Sequence, residues 1–265
     1  MRRVRAPAGP APCEHGAVVV LPGAEPFRAD GGEVAVLLCH GFTGSPQGLR
    51  PWARALADAG LTVRLPRLPG HGTTWQDMAR TGWSHWVAAV AAELAELRAR
   101  GCTTVVGGLS MGGALALRLA VDHARDVAGL VLVNPAVRLS DPRLLAVPLL
   151  RLLTRTVPGV GGDIAKEGVV ELSYDRVPLS SLHSSLRGYR RLVPDLPRVH
   201  QPLVLLRSAV DHVVPASSSA RVLTSVSSAD VREEVLERSH HVATLYHDAD
   251  RVVAATLDLV ARVAA

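Results

Sequence analysis

Apolar and polar positions along this chain follow two rhythms. Short strand-like runs recur at residues 34–39, 62–65, 103–107, 128–133 and 203–207, several of them unbroken apolar stretches. Runs of this length without apolar–polar alternation predict strands covered on both faces, as in a parallel sheet. Runs at 18–21 and 231–237 are read as two further strands. Between the strands lie stretches at 51–59, 83–100, 111–122, 216–226 and 250–263 with helical composition and spacing. The alanine-, leucine- and glutamate-rich segment at 87–98 has the best helix formers of these. Strand and helix in alternation give an α/β fold, a mostly parallel central sheet with helices on both faces.

The rhythm stops between Asn134 and about Gln201. That stretch is too long for a simple connection, and prolines at 142, 148, 158, 178, 194 and 197 cut it into short helical patterns. Residues 144–153 are strongly apolar, with Arg151 as the single charge. Inserted directly after the strand that follows the 111–122 helix, the stretch predicts a helical cap, or lid, at about 135–200. Leu145 and Leu149 are then candidates for an apolar wall against a lipid-like substrate. The 265 residues suit a single domain carrying this insertion. Residues 1–15, rich in proline and small side chains, are expected to form a flexible N-terminus.

Composition narrows the function. With 48% apolar and 20% charged residues the chain is an ordinary globular one, not a disordered one. A formal net charge of +5 raises the question of nucleic acid. The arginines are scattered, without basic runs or interleaved aromatics, so a solvated surface is the better reading and no nucleic-acid partner is expected. Cys13, Cys39 and Cys102 are odd in number and widely spaced, indicating neither a disulfide framework nor a metal site. No window has the ~18–20 consecutive apolar residues that span a bilayer, and no apolar signal segment follows the basic start. A cytoplasmic protein without an integral membrane segment is expected, as monomer or homodimer.

The chemistry concentrates at Gly108-Leu109-Ser110-Met111-Gly112. This Gly-x-Ser-x-Gly lies between the strand at 103–107 and the helix at 111–122, the context of a nucleophile elbow. The glycines leave room for neighbouring backbone, and the helix N-terminus beneath the serine favours developing negative charge. A serine hydroxyl needs a positioned base, itself oriented by a carboxylate. Asp211 follows the buried strand at 203–207, where functional side chains collect at a parallel sheet's carboxyl edge. Asp195 and Asp230 are weaker rivals, because neither follows a strong apolar strand. His240 and His241 lie in the last loop before the C-terminal helix, and local chemistry leaves the choice between them open. His212 points elsewhere if Asp211 points inward, and His247 is read as a surface residue. An oxyanion needs two backbone N–H donors. Met111 supplies one, and the loop Leu37-Leu38-Cys39-His40-Gly41-Phe42-Thr43-Gly44 supplies the other through Phe42. His40 and His71 are read as structural.

Taken in order, His40-Gly41-Phe42-Thr43-Gly44, Pro69-Gly70-His71-Gly72, Gly108-Leu109-Ser110-Met111-Gly112, Asp211-His212-Val213-Val214-Pro215 and Ser239-His240-His241-Val242-Ala243-Thr244-Leu245 resemble the bacterial monoacylglycerol lipase and carboxylesterase family of α/β-hydrolases. The resemblance runs from about Gly16 onward. It implies the α/β-hydrolase fold and cofactor-free hydrolysis of short- to medium-chain acyl esters, monoacylglycerols included, the small-molecule ester being the partner. It also implies Ser110, Asp211 and His241 as catalytic residues, with Phe42 and Met111 as oxyanion donors. Glu171 is implied as a contact for glycerol hydroxyls beneath the cap. One departure is that Ala209 and Val210 precede Asp211 where the family often has acidic residues. The same triad also serves thioesterases, acyltransferases, haloperoxidases and C–C hydrolases, and a binder that keeps the pocket as a receptor is a rival from another class. Dehalogenases and epoxide hydrolases of this fold are disfavoured, since they place aspartate where Ser110 stands.

Overall fold

Because the central strands are largely apolar, alternate side chains leave opposite faces of the sheet and need cover on both. The structure, a computed structural model, describes residues 19–159 and 171–264. Along β2 (Val34–Cys39), Ala35, Leu37 and Cys39 join one buried cluster and Val36 and Leu38 the other. The remaining strands of this sheet are β1 (Phe27–Ala29), β3 (Thr62–Leu65), β4 (Thr103–Leu109), β5 (Gly129–Val133), β8 (Leu203–Ser208) and β9 (Val231–Leu236). They lie in the order β1-β3-β2-β4-β5-β8-β9, and every pairing is parallel except that of β1 with β3. β2, β3 and β5 agree with the sequence reading within a residue, and the sheet is mostly parallel as expected.

The edge strand is a correction. Residues 19–21 form no strand, and residue 18 lies outside the described residues. β1 is instead Phe27–Ala29, set by its register on β3, Phe27 opposite Leu65 and Ala29 opposite Val63. Three residues with an arginine at the centre carry no periodic signal, so the pairing comes from the neighbour rather than from the strand itself.

α1 (Arg50–Asp58) and α8 (Ala249–Val263) cover one face with Trp52, Leu56, Val252 and Leu259, and Trp52 Nε1 donates to Thr256 Oγ1 at 3.1 Å. α2 (Trp75–Met78), α3 (Trp83–Ala99) and α4 (Met111–Asp122) cover the other with Met78, Trp86, Val90, Leu94, Leu115 and Leu119. α7 (Ala216–Leu223) joins that face through Val222.

Between β5 and β8 runs the excursion: α5 (Val147–Leu153), the antiparallel pair β6 (Thr156–Pro158) and β7 (Arg176–Pro178), and α6 (Leu179–Leu192). Residues 160–170 of it lie outside the described residues, as do residues 1–15, for which flexibility was expected. The small two-stranded sheet was not foreseen, its strands being three residues each and ending in proline. Among the described residues no helix is long and apolar enough to cross a membrane.

α4 starts hard against the end of β2. A Cβ on Gly112 would fall inside the carbonyl group of Cys39, and the atoms in the way are backbone that has no side-chain rotamer to change. Gly112→Ala is therefore expected to destabilise the protein by about 3 kcal/mol or more, as overpacking against fixed backbone does. Urea unfolding of the variant beside wild type checks this, and a loss under about 1 kcal/mol would contradict it.

Candidate active site

Ser110 is the single residue between β4 and α4, and its backbone sits at φ 56°, ψ −117°. A non-glycine residue there is strained and persists only where surrounding bonds hold it. Here they come from the exit of β5. Ser110 N–H donates to Val133 O at 2.9 Å, and Ser110 O accepts from Ala136 N–H at 3.0 Å. Gly108 and Gly112 pass so closely that a Cβ on Gly108 would meet the Gly112 carbonyl group. The Gly-x-Ser-x-Gly spacing is thus a steric requirement of the turn.

Asp211 lies in the turn after β8. Its Oδ1 accepts from Val213 N–H and Val214 N–H, both at 2.8 Å, which holds the carboxylate in one orientation. Its Oδ2 stands 2.8 Å from His241 Nδ1, with both side chains almost fully buried. With Nδ1–H donated to the carboxylate, Nε2 becomes the basic nitrogen of the ring. The geometry separates the two adjacent histidines that local sequence left open. His241 pairs with Asp211, whereas His240 stacks on Tyr246 at 5.6 Å and meets His212 edge-on at 5.1 Å. The rivals lie elsewhere, Asp195 on Arg118 and Asp230 in ion pairs with Arg262 and Arg232.

The loop after β2 backs onto the serine, since a Cβ on Gly41 would lie 3.7 Å from Ser110 Cβ. Phe42 follows it, its ring edge-on to Trp86 at 6.0 Å. Met111 is the first residue of α4, where backbone N–H groups have no intrahelical acceptor. Both expected oxyanion donors therefore lie on segments that adjoin Ser110.

Behind this loop His40 is fully buried. Its Nδ1 lies 3.0 Å from Gly41 O, and its Nε2 accepts from Leu68 N–H at 3.2 Å. One donor and one acceptor fit a neutral imidazole. Burial pushes its pKa down to about 4, with nearby Arg67 acting the same way. His71 packs edge-on at 5.0 Å, its pKa also held well below the ordinary value, by burial first and by His40 next. Both histidines are structural in their contacts, as expected.

The excursion reaches this loop too. Tyr174 N–H donates to Thr43 O at 3.2 Å, and its hydroxyl bridges Thr73 N–H and Gly70 O, each at 2.8 Å. A Cβ on Gly44 would lie 3.0 Å from Glu171 Oε1, so the Glu171 carboxylate rests against the loop that carries Phe42. The expectation for Leu145 and Leu149 needs correction. They are 75% and 67% exposed, and Leu152 and Leu153 are exposed beside them. Val147 is buried and sets the inward face of α5. At about 100° per residue, Leu149, Leu152 and Leu153 fall on the opposite side, and Leu145 is exposed in the turn just before the helix. They form an outer patch rather than an inner wall.

Sequence reasoning also missed Asn134, the residue directly after β5. It is buried at φ 44° and its side chain bonds Ser208 and the His241 carbonyl. Its only sequence signal is an amide at the carboxyl end of a buried strand.

With this geometry in view, the family described as serine aminopeptidase, S33, matches residues 32–248. The chain belongs to this family of α/β-hydrolases. It is 41% identical over 245 residues to the thermostable monoacylglycerol lipase of Bacillus sp. (strain H-257), covering 92% of this chain and 96% of that protein. It is 25% identical over 237 residues to the carboxylesterase of Bacillus subtilis (strain 168), covering 88% and 94%. Among solved structures, one reported for LipS and LipT, two metagenome-derived lipolytic enzymes, aligns with a TM-score of 0.89 at 38% identity, covering 92% of this chain and all of that one. The sheet order and the elbow described above are those of a hydrolase of this superfamily.

The buried histidines make stability depend on pH. Folded His40 titrates near 4 and an unfolded histidine near 6.5. Between those values the unfolded chain binds more protons, so stability is fully present above about pH 6.5 and falls as pH drops toward 4. The loss from His40 alone is about 3 kcal/mol over that window. Urea unfolding at pH 7 and pH 4.5 measures it, with His40→Gln expected to flatten the slope. An equal slope in the variant would contradict the assignment.

Proposed function

We propose that the protein is a serine carboxylic ester hydrolase that cleaves short- to medium-chain acyl esters, monoacylglycerols among them, through an acyl-enzyme on Ser110. The observation that carries this reading is the buried Asp211–His241 pair at 2.8 Å, on the same sheet rim as the strained serine. The 41% identity to a monoacylglycerol lipase supports the substrate class.

In the first step Ser110 Oγ attacks the ester carbonyl carbon as His241 Nε2 takes its proton. Asp211 keeps Nδ1 protonated and stabilises the imidazolium that forms. The carbonyl oxygen becomes an oxyanion between the backbone N–H groups of Phe42 and Met111, helped by the N-terminus of α4. Collapse expels the alcohol, which takes the proton from His241. Water then attacks the acyl-enzyme by the same route, releasing the acid and restoring Ser110.

In this reading the excursion at about 135–200 is the cap. It carries Glu171 to the oxyanion loop, where a carboxylate accepts hydrogen bonds from the hydroxyls of a glycerol leaving group. The cytoplasmic location and the monomer or homodimer state expected from the sequence stay part of the proposal.

Ser110→Ala, His241→Ala and Asp211→Asn are each expected to lower kcat on a p-nitrophenyl ester by about 10⁴-fold. His240→Ala should keep substantial turnover. Ser110-dependent labelling by a fluorophosphonate distinguishes the hydrolase from a receptor that merely keeps the pocket. Most activity surviving in Ser110→Ala protein would refute the reading. Glu171→Gln should raise KM for a monoacylglycerol about 10-fold while changing p-nitrophenyl acetate hydrolysis little, as loss of a charged hydrogen-bond acceptor does. Equal effects on both substrates would remove Glu171 from the glycerol contact.

A further inference from the structure

We infer that Asn134, with Ser208, is a positioning residue that sets the register between the nucleophile and the base. The inference rests on the proposed roles of Ser110 and His241. It starts from the exit of β5, which both groups share. The residue before Asn134 takes the Ser110 N–H on its carbonyl, at 2.9 Å, and Ala136 N–H returns a bond to Ser110 O. Asn134 itself reaches the other way, its Nδ2 donating to His241 O at 2.8 Å and to Ser208 Oγ at 2.9 Å. Its Oδ1 accepts from Ser208 N–H at 2.8 Å. That main-chain N–H has only a proton to offer, so it fixes which end of the amide is oxygen. Ser208 Oγ completes the arrangement by donating to His240 O at 2.7 Å.

The two carbonyls of the histidine pair are therefore hung from the carboxyl ends of β5 and β8. The turn after β8 supplies Asp211 to the ring, so main chain and side chain of His241 are fixed by adjacent points on the sheet. This matters because the loop after β9 is a connection between elements, with no ladder of its own to hold it.

Few residues meet the demands at 134. The backbone is at φ 44°, in the left-handed region where asparagine is tolerated better than most non-glycine residues. The side chain must also donate twice and accept once in a buried place. Aspartate has the right shape but presents a carboxylate oxygen to the His241 carbonyl. Glycine keeps the backbone and loses every side-chain bond.

Asn134→Gly, Asn134→Asp and Ser208→Ala are to be compared with wild type on a p-nitrophenyl ester. Rates are expressed per site titrated by a fluorophosphonate, so unfolded protein does not count. Misplacing a catalytic pair by about 1 Å costs on the order of 100-fold. The expected result is a kcat about 10- to 100-fold lower in both Asn134 variants with KM within about twofold, and a smaller loss in Ser208→Ala that Ser208→Thr restores. A purely structural role would lower thermal stability and the number of titrated sites but leave kcat per site unchanged, and that result overturns the inference. If Asn134→Gly does not fold, wild-type kcat per site in Asn134→Asp and Ser208→Ala overturns it equally. Failure of the underlying reading shows separately, as absent wild-type turnover or as activity that survives Ser110→Ala.

Discussion

Ser110 stands in a backbone conformation that only its neighbours make possible, and most of the surrounding structure follows from that. Its φ of 56° turns the chain from strand to helix in one residue. So sharp a turn brings β4 and α4 into backbone contact, leaving no room for a Cβ at Gly108 or Gly112. The same turn brings the α4 N-terminus beneath the hydroxyl, where its dipole opposes the cost of negative charge. The strain is borne by the exit of β5, whose carbonyl at Val133 and N–H at Ala136 clasp the serine backbone on both sides.

Around this turn several polar groups are buried with their partners. Asp211 has both oxygens engaged, the Asn134 amide donates both protons and accepts with its oxygen, and His40 donates with one nitrogen and accepts with the other. Polar groups in a low-dielectric setting hold position well when satisfied and cost heavily when not. The site is thereby held rigid from below, by strand ends and backbone amides. The excursion reaches the loop after β2 through Tyr174 and Glu171. Leu145, Leu149, Leu152 and Leu153 of the excursion face outward, while its Leu179 and Leu192 are buried.

Much of this was legible in the sequence. Unbroken apolar runs announced β2 and β5 nearly to the residue, because a strand buried on both faces leaves no polar position to blur its limits. α4 was legible for the same local reason, its first residue being set by the Gly-x-Ser-x-Gly turn and its interior by strong helix formers. The elbow could be read because its glycines answer a steric demand within five residues.

Other features belong to the tertiary structure alone. β1 is a strand because β3 offers it an edge, and its three residues hold no pattern that says so. The outward turn of Leu145 and Leu149 goes with the burial of Val147, a choice hydropathy cannot express when leucines stand on most sides of a short helix. The bond from Asn134 to the histidine loop joins residues far apart in the chain, as does the pairing of His241 rather than His240 with Asp211, which local chemistry left open and only the family resemblance implied. Local chemistry fixes what a residue is able to do. Which groups meet is decided by strand order, because the sheet alone brings those distant loops to one rim.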